Sequence, residues 1–352
     1  MSLDPVDLCI ELVNTPSESR NEANVADLIE STLSRFSHLR LKRVGNNLIV
    51  NRNDTGQSKF ILAGHIDTVP PSVGYLPYRD GNRIYGVGST DMKGGVAVMM
   101  ALASDPDLLA PVTYIFYVCE EIDRRFSGLL EIERDSPDVL RAEAAILMEP
   151  TLNVIEAGCQ GTLRMRLHVG GRKAHTARPH IGENAIHRSA EFLLRIASVH
   201  RRSVIIDGCD YKEATSVVKI VGGVANNVVP DEVDILINHR FAPDRSIEEA
   251  TDFVSGLFSQ LLREDLGDYV SLEEAAPSAR PNLENPFLAK LAESVGTRRG
   301  KLGWTDVAFF SERGVPATNF GPGDPEMAHT AGEWVDVDQI VAAKAILTSV
   351  LS

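Results

Sequence analysis

The sequence lacks any run of about 20 apolar residues, the length that a membrane-spanning helix requires. Its N-terminus, MSLDPVDLCIELVNTP, has acidic residues early and no basic flank before a long apolar stretch, so it does not resemble a secretory signal. Cysteine is also scarce, and the four residues stand singly, at Cys9, Cys119, Cys159 and Cys209. Scattered cysteines indicate reduced thiols, so we expect a soluble cytoplasmic protein with no membrane partner.

Positive charge is in deficit as well. The chain has 35 Lys and Arg against 49 Asp and Glu, a formal net charge of -14. Nucleic acid binds to positively charged surfaces, so this balance argues against a nucleic-acid partner. It does not exclude a small anionic substrate, because one basic cluster can dominate locally. Such a cluster lies at residues 171–180, where Arg172 and Lys173 are expected to be solvated turn residues and Arg178 is a candidate anion anchor.

The length of 352 residues is more than one hydrophobic core usually serves, so we expect two domains. Short apolar runs bounded by turn residues indicate strands buried on both faces, as in parallel sheets. Helices are predicted from Pro5, at 22–36 and at 92–103, and the apolar runs lie at 47–50, 60–63, 113–118 and 144–148. This alternation predicts an α/β catalytic domain with a mostly parallel twisted sheet flanked by helices.

The pattern changes from about residue 162. Strand, helix, strand, strand, helix and strand are predicted at 163–169, 184–199, 216–221, 233–241, 247–262 and 269–272. This order is typical of a ferredoxin-like α+β unit. We therefore predict an inserted lid and dimerisation domain at 162–274, within a catalytic domain formed by 1–161 and 275–352.

The first chemical signal lies at the end of a predicted strand, in Gly64-His65-Ile66-Asp67. Residues two apart in an extended chain point to the same side. Asp67 can therefore hold one imidazole nitrogen of His65 while the other nitrogen binds a metal ion. The alternative is a strand-end histidine that only hydrogen-bonds to a nearby aspartate.

Carboxylates supply the next two signals. Asp91 stands between a glycine-rich turn and an apolar helix, where its two oxygens can bridge two cations or simply cap the helix. Neither common nucleotide-binding glycine pattern is present, so nucleotide binding is rejected.

Glu120 and Glu121 follow an apolar strand and point in opposite directions. Glu121 can thus bind a metal ion while Glu120 addresses a water molecule, and a solvated acidic turn is the alternative.

Glu149 directly follows another predicted strand, and His329 lies in a Gly- and Pro-rich loop near the C-terminus. Most of these signals lie just beyond the expected carboxyl ends of strands or at a strand-to-helix junction, where open α/β sheets place their sites. Two histidines and three carboxylates also match the ligands of a hydrolytic dizinc centre with a bridging carboxylate. Together they predict a two-metal site built from His65, Asp91, Glu121, Glu149 and His329.

These motifs, their order along the chain and the inserted domain resemble the family of co-catalytic zinc aminoacylases and carboxypeptidases. The resemblance covers nearly the whole chain. Within the family they resemble the actinobacterial desuccinylases, which share the stretches at 158–164, 174–178, 182–187, 240–246, 303–307 and 321–325. The resemblance implies two Zn²⁺ ions, which Co²⁺ or Mn²⁺ can replace. It assigns one ion to His65 and Glu149. It assigns the other to Glu121 and His329, with Asp91 as the bridge.

The resemblance also implies roles for other residues. Glu120 would be the general base, Asp67 would orient His65, and the peptide after Asp91 would be cis. The lid would form a homodimer in which His175 of each subunit enters the other active site and stabilises an oxyanion. Substrate contacts are implied at Asn227 and Arg240, and Arg178 and Thr162 are further candidate contacts. Arg240, on a predicted strand beside apolar neighbours, is the stronger carboxylate anchor.

The implied activity is hydrolysis of N-succinyl-LL-2,6-diaminopimelate to succinate and LL-2,6-diaminopimelate, a step in lysine and cell-wall precursor synthesis. Two alternatives stay open. One keeps the chemistry with another acylated amino acid, such as acetylornithine or a glutamate conjugate. The other is a catalytically silent relative that only binds metal, and the presence of Glu120 beside a complete ligand set argues against it.

Overall fold

A computed structural model describes residues 2–52, 58–72 and 76–352. The chain divides into two compact units. Unit 1 comprises Met1–Gly158, Pro281–Arg299 and Phe309–Ser352, and unit 2 comprises Cys159–Arg280 and Gly300–Ala308. The short stretch Gly300–Ala308 thus lies in unit 2, although it falls within the 275–352 segment of the predicted catalytic domain.

Helices and strands alternate along most of the described chain. The helices are α1 (Pro5–Asn14), α2 (Ala23–Leu33), α3 (Gly94–Ala103), α4 (Gly128–Asp135), α5 (Ala185–Ala197), α6 (Ile247–Gly256), α7 (Pro286–Val295), α8 (Val307–Glu312) and α9 (Val337–Leu351). The strands are β1 (Leu39–Val44), β2 (Asn47–Arg52), β3 (Phe60–His65), β4 (Tyr78–Asp80), β5 (Arg83–Tyr85), β6 (Val112–Tyr117), β7 (Ala144–Leu147), β8 (Ile155–Ala157), β9 (Gly161–Gly170), β10 (Ala174–His175), β11 (Ser203–Ile206), β12 (Cys209–Lys212), β13 (Ala214–Gly222), β14 (Val228–Val229), β15 (Glu232–Phe241), β16 (Tyr269–Ala276), β17 (Arg298–Gly300), β18 (Ala317–Asn319) and β19 (Trp334–Asp336).

The N-terminal helix begins where its sequence predicts. The Asp4 carboxylate accepts a hydrogen bond from the Val6 amide at 2.7 Å, and Pro5 occupies the first helical position. A proline is tolerated there because the first amides of a helix have no partner within the helix. The second helix, α2, also lies within its predicted range of 22–36.

The large sheet has eight strands in the order β1-β2-β6-β3-β7-β18-β8-β17. Its central strands β6, β3, β7 and β18 are parallel neighbours. The strands β1, β2 and β8 pair antiparallel beside them. The predicted buried runs form β2, β3, β6 and β7, and every residue of β6 and β7 is buried. The predicted α/β class is confirmed, with antiparallel strands added on both sides.

Helix α3 is buried along its whole length and packs against α1 and α9. It confirms the prediction of an enclosed helix over 92–103, although the regular part begins at Gly94. Its N-terminal end lies close to the end of β7, because a Cβ atom at Gly95 would stand 2.2 Å from the Met148 carbonyl oxygen. Only glycine permits that approach.

Unit 2 contains a four-stranded antiparallel sheet in the order β13-β15-β9-β16. Alternate residues of β9 and β15 are buried, and they form one core with α5 and α6 through residues such as Phe192 and Val254. The predicted ferredoxin-like α+β unit is confirmed. Helix α6 ends at Gly256, earlier than the predicted residue 262, which fits the low helix propensity of glycine.

Across the described residues, every helix is either too short or too polar to cross a membrane. The four cysteines are all buried and free.

Candidate metal centre

The parallel register brings four strand ends to one edge of the large sheet. His65 on β3 pairs with Tyr117 at the end of β6, and Ala63 pairs with Leu147 at the end of β7. Leu147 in turn pairs with Asn319, the last residue of β18. These ends, or the segments that follow them, carry His65, Glu121, Glu149 and His329, whereas Asp91 lies between β5 and α3. The register therefore explains why residues distant in sequence meet.

Three of the candidate ligands form a tight group. His65, Asp91 and Glu121 each offer one ligand atom, and these atoms all lie within 4.8 Å of one another. His329 reaches the group through Glu121, because its Nε2 atom lies 2.9 Å from Glu121 Oε1. Imidazole nitrogens and carboxylate oxygens are donors that zinc and related divalent metals accept. These residues therefore fit a metal site.

The Asp91 carboxylate presents one oxygen to each of the two histidines. Its Oδ1 atom lies 3.1 Å from His65 Nε2, and its Oδ2 atom lies 3.5 Å from His329 Nε2. Two oxygens facing two separate nitrogen donors is the arrangement that a bridging carboxylate requires. Helix α3 has Lys93 at its N-cap and no side-chain cap. The alternative reading of Asp91 as the cap of that helix is therefore wrong.

Hydrogen bonds set the protonation of this group. Burial alone would lower the pKa of His65, but hydrogen bonds to Asp67 and Asp91 outweigh it and raise that pKa well above its usual value. The hydrogen bond to Asp91 raises the pKa of His329 to about 9. Burial raises the pKa of Glu121, and the negative charge of Asp91 adds to the effect. Since a ligand imidazole must be neutral, protons compete with metal ions for both histidines.

Asp67 lies beneath this group and is fully buried. Its carboxylate accepts hydrogen bonds from the Ser19 hydroxyl at 2.7 Å and from the amides of Glu120 and Glu121 at 3.1 Å each. Burial would raise the pKa of Asp67, but hydrogen bonds from His65 and Ser19 hold it below its usual value. The carboxylate thus ties the strand that carries His65 to the turn that carries the glutamates.

The contact between Asp67 and His65 differs in detail from the expectation. His65 Nδ1 lies 3.1 Å from the backbone carbonyl oxygen of Asp67 and 3.5 Å from its Oδ1 atom. The carbonyl is therefore the nearer acceptor, and the carboxylate acts mainly on the glutamate turn. Both contacts leave Nε2 of His65 directed at Asp91.

The turn that holds Glu120 and Glu121 begins directly after β6. Cys119 there has φ 60°, in the left-handed region that non-glycine residues rarely adopt. The backbone therefore reverses sharply before the two glutamates, and both amides reach the same carboxylate of Asp67. His329 also has a left-handed backbone, with φ 62°. Such conformations cluster at functional sites.

Glu149 is buried, with 6% exposure, just beyond β7. It does not belong to the group of atoms within 4.8 Å of one another, which contains His65, Asp91 and Glu121. Close packing fixes its backbone on two sides. A Cβ atom at Gly321 would lie 2.6 Å from the Met148 carbonyl oxygen, and one at Gly95 would lie 2.2 Å from it.

Two features of the Asp91 segment complete the centre. The peptide bond between Asp91 and Met92 is cis, as the resemblance implied. The amides of Thr90 and Asp91 donate hydrogen bonds to Glu333 Oε1, at 2.9 and 3.0 Å. Glu333 was not predicted as a site residue, because an acidic residue in a loop carries no pattern that reveals such a partner.

In unit 2, the structure brings Arg240 and Thr162 together. The two residues are directly paired across β15 and β9, so their side chains share one face of the sheet. Arg240 is half-buried, and burial together with the charge of Arg164 lowers its pKa. Among the described residues, no carboxylate lies within ion-pair distance of Arg240.

The other predicted unit 2 residues lie around the short β10–β14 pair. His175 is exposed and pairs with Val228, next to Asn227. The Asn227 carbonyl accepts a hydrogen bond from the Thr176 amide at 3.1 Å, and the Arg178 amide donates to the His175 carbonyl at 2.7 Å. The Ala177 amide donates to His175 Nδ1 at 3.0 Å. In a neutral ring, the proton is then on Nε2, which can act as a donor.

Comparison with known proteins identifies the family. The model of peptidase family M20/M25/M40 matches residues 61–352. A putative succinyl-diaminopimelate desuccinylase from Mycobacterium tuberculosis is 44% identical over 349 residues, which cover 98% of this chain and 97% of that protein. The succinyl-diaminopimelate desuccinylase of Corynebacterium glutamicum is 40% identical over 360 residues, covering 99% and 96%.

Solved structures share the fold. A dinuclear metal-binding peptidase of the M20 family from Bacillus subtilis superposes with a TM-score of 0.72 at 15% sequence identity, covering 99% of this chain and 96% of that one. Identity this low supports the fold alone. The family match and the mycobacterial and corynebacterial relatives extend over most of the sequence, and they support membership of the family. The chain belongs to peptidase family M20/M25/M40.

Proposed function

We propose that this protein is a cytoplasmic, zinc-dependent desuccinylase that hydrolyses N-succinyl-LL-2,6-diaminopimelate to succinate and LL-2,6-diaminopimelate. One observation carries the chemistry: the two oxygens of Asp91 face the Nε2 atoms of His65 and His329. The proposed substrate is supported by two desuccinylase relatives that are 40% and 44% identical to this chain over nearly its whole length.

In this proposal unit 1 is the catalytic domain. His65 and Glu149 would hold one zinc ion, Glu121 and His329 would hold the other, and Asp91 would be a ligand shared by both. When bound, the ions polarise the amide carbonyl and lower the pKa of the attacking water. The contacts of Asp91 with both histidines, and of His329 with Glu121, support this grouping.

Glu120 is the proposed general base. It takes a proton from the attacking water and returns it to the leaving amine, so that the amine departs in its neutral form. The hydrogen bond from the Glu120 amide to Asp67 supports the role, because it fixes the backbone of the base beside that of Glu121.

Unit 2 is proposed to recognise the substrate and to polarise it. Arg240 is the proposed anchor for a substrate carboxylate, with Thr162 beside it and with Asn227 and Arg178 as further contacts. The half-buried guanidinium of Arg240 supports this role, since burial strengthens its attraction for a carboxylate. His175 is proposed to donate a hydrogen bond from Nε2 to the oxyanion of the tetrahedral intermediate.

We also propose that unit 2 forms a homodimer. Strand β13 lies at the edge of its sheet and exposes apolar side chains, among them Val218 at 56% and Val221 at 55%. An exposed apolar edge strand is a ready site for pairing with another chain. Sedimentation of the purified protein tests the proposal, and a monomer at all concentrations would contradict it.

Turnover by the zinc-loaded protein tests the activity directly. N-succinyl-LL-2,6-diaminopimelate and N-acetylornithine are assayed side by side, and we expect a higher kcat/KM for the succinylated substrate. A preference for acetylornithine would keep the chemistry and overturn the substrate. Failure to hydrolyse any acylated amino acid with both metals bound would instead favour the silent metal-binding relative.

A matched pair of variants tests the anchor. Arg240→Ala should raise KM for the succinylated substrate, because the variant loses a charge-assisted contact to a carboxylate. Arg172→Ala is the control, since Arg172 is exposed and its contact with Glu183 is made by the backbone. Equal effects of the two substitutions would remove Arg240 from the substrate site.

A further inference from the structure

Glu333 is a buried carboxylate that the proposed chemistry does not use. Its side chain belongs to unit 1 and is 1% exposed. Its Oε1 atom accepts the amide protons of Thr90 and Asp91, at 2.9 and 3.0 Å. Burying a carboxylate is costly unless hydrogen bonds compensate it. Here two bonds converge on one oxygen, directly at the residue proposed to bridge the metals.

Further hydrogen bonds join the same two segments. The Thr90 hydroxyl donates to the Trp334 carbonyl at 2.5 Å, and the Gly86 amide donates to the Glu333 carbonyl at 3.0 Å. Strand β19 also pairs with β5, with Trp334 opposite Tyr85. The chain that follows His329 is thus attached, at Glu333 and directly after it, to the chain that leads to Asp91.

This attachment bears on the distance between the Asp91 carboxylate and His329, which matters for metal binding. Asp91 Oδ2 lies 3.5 Å from His329 Nε2, and Asp91 Oδ1 lies 3.1 Å from His65 Nε2. His65 is held by β3 and by Asp67, independently of the C-terminal loop. His329 has no strand of its own and stands four residues before Glu333. The Glu333 side chain is the contact that links the loop after His329 directly to the backbone amide of Asp91.

We propose that Glu333 is a positioning residue for the second metal. It fixes the bridging carboxylate of Asp91 against the loop that carries His329. The inference rests on the proposed dinuclear site and deepens it. Loss of the contact lets the Asp91 segment and the His329 loop move apart, which weakens the metal held by Glu121 and His329 more than the metal held by His65 and Glu149.

The test is stepwise Zn²⁺ binding to the full chain, measured by competition with a chromophoric chelator. Glu333→Ala should weaken the second binding step by about 10- to 100-fold, the usual cost of losing an outer hydrogen-bond partner of a ligand. The first step should stay unchanged. Glu333→Gln should restore the second step, because one amide oxygen can accept both backbone protons.

Two further variants separate positioning from general stability. Glu326→Ala removes an exposed carboxylate from the same loop and should leave both steps unchanged. Glu333→Asp keeps the charge but withdraws the acceptor by one carbon, so it should weaken the second step even if Glu333→Ala does not fold. Equal weakening of both steps, or no weakening in Glu333→Ala and Glu333→Asp, would overturn the inference.

The test also distinguishes a failure of this inference from a failure of the proposed activity. A wild-type chain that binds only one Zn²⁺ would overturn the dinuclear site and the role of Glu333 with it. Two bound Zn²⁺ ions without turnover of the succinylated substrate would overturn the substrate alone, and the binding steps of the variants would still decide the role of Glu333.

Discussion

Buried carboxylates occur in both units, but their partners differ. In unit 2, Asp268 is held by both guanidinium nitrogens of Arg188, at 2.9 and 2.6 Å, and Glu213 is held by two arginines. In unit 1, Asp67 accepts hydrogen bonds from one hydroxyl and two backbone amides. Asp91 faces two imidazoles there.

The difference separates a carboxylate that stabilises the fold from one that can bind a cation. An arginine always carries its charge, so a carboxylate paired with it is already neutralised. An imidazole can lose its proton and share a metal ion with the carboxylate that it faced. The residue type is the same in both units, and the partner decides the role.

The largest effect on turnover is expected from a substitution of Glu120, the proposed general base. Glu120→Gln should lower kcat by about 10²- to 10⁴-fold, because the amide cannot take a proton from water. Zinc binding should persist, since Glu120 is not a proposed ligand. Turnover and bound zinc are measured together, and Glu143→Gln, an exposed position in the same unit, is the control. Retained turnover would remove Glu120 from the mechanism.

Breaking the arginine pair of unit 2 should instead affect folding. Asp268→Ala removes the nearer of the two carboxylates that face Arg188, leaving Glu183 at 3.8 Å, and also removes the acceptor of the Gly170 and Arg263 amides. Loss of one partner of a buried pair costs about 3 kcal/mol or more. Chemical denaturation should show this loss while zinc affinity stays unchanged. A parallel loss of zinc affinity would break the distinction between the units.

The same pair gives stability a pH dependence. Burial would raise the pKa of Asp268, but the hydrogen bond from Arg188 holds it below its usual value. A group with a lowered pKa in the folded state stabilises the protein above its unfolded pKa, about 4 for Asp. That contribution is lost as pH falls through the folded pKa. As pH falls from 5 to 3, the Asp268→Asn variant should therefore lose less stability than the wild type. Denaturant titration at each pH measures the two free energies of unfolding.

Asp67→Asn should produce a smaller change, in metal binding. The amide keeps the shape of the side chain, and the backbone carbonyl still faces His65 Nδ1. It cannot accept both glutamate amides and the Ser19 hydroxyl as a carboxylate does. Zinc affinity should fall by about 10- to 100-fold. Chelator competition measures it, and an unchanged affinity would show that the carbonyl alone orients His65.

The smallest effect is expected at an exposed pair in unit 2. Arg164 and Glu274 form an ion pair in which the side chains are 56% and 53% exposed. Exposed pairs contribute about 0 to 1 kcal/mol, because water screens them. Glu274→Gln should therefore barely change the denaturation midpoint. A loss as large as that of Asp268→Ala would mean that burial does not decide the strength of these arginine pairs.

Much of the fold and of the candidate site could be predicted from local patterns. Buried strands reveal themselves as apolar runs, and a polar residue within a few positions after such a run marks a strand end, as at His65, Glu121 and Glu149. Asp91 was ambiguous between a bridge and a helix cap, because both uses place an aspartate before a helix. Only the position of Lys93 at the N-cap resolves the ambiguity.

Features that depend on contacts between distant segments could not be predicted. The hydrogen bonds of Glu333 to Thr90 and Asp91 join residues more than 240 positions apart. No local pattern marks the return of Gly300–Ala308 to unit 2 either. The nearer contact of His65 with a carbonyl than with the Asp67 carboxylate depends on the exact course of the backbone.

The close packing around Met148 has a consequence for which sequences this fold can accept. Gly95 and Gly321 approach the same carbonyl oxygen from α3 and from the C-terminal loop, and neither position has room for a methyl group. A substitution at either one would displace the backbone that carries Glu149. In a saturation mutagenesis experiment, these two positions, far apart in the chain, should therefore show the same intolerance even to alanine.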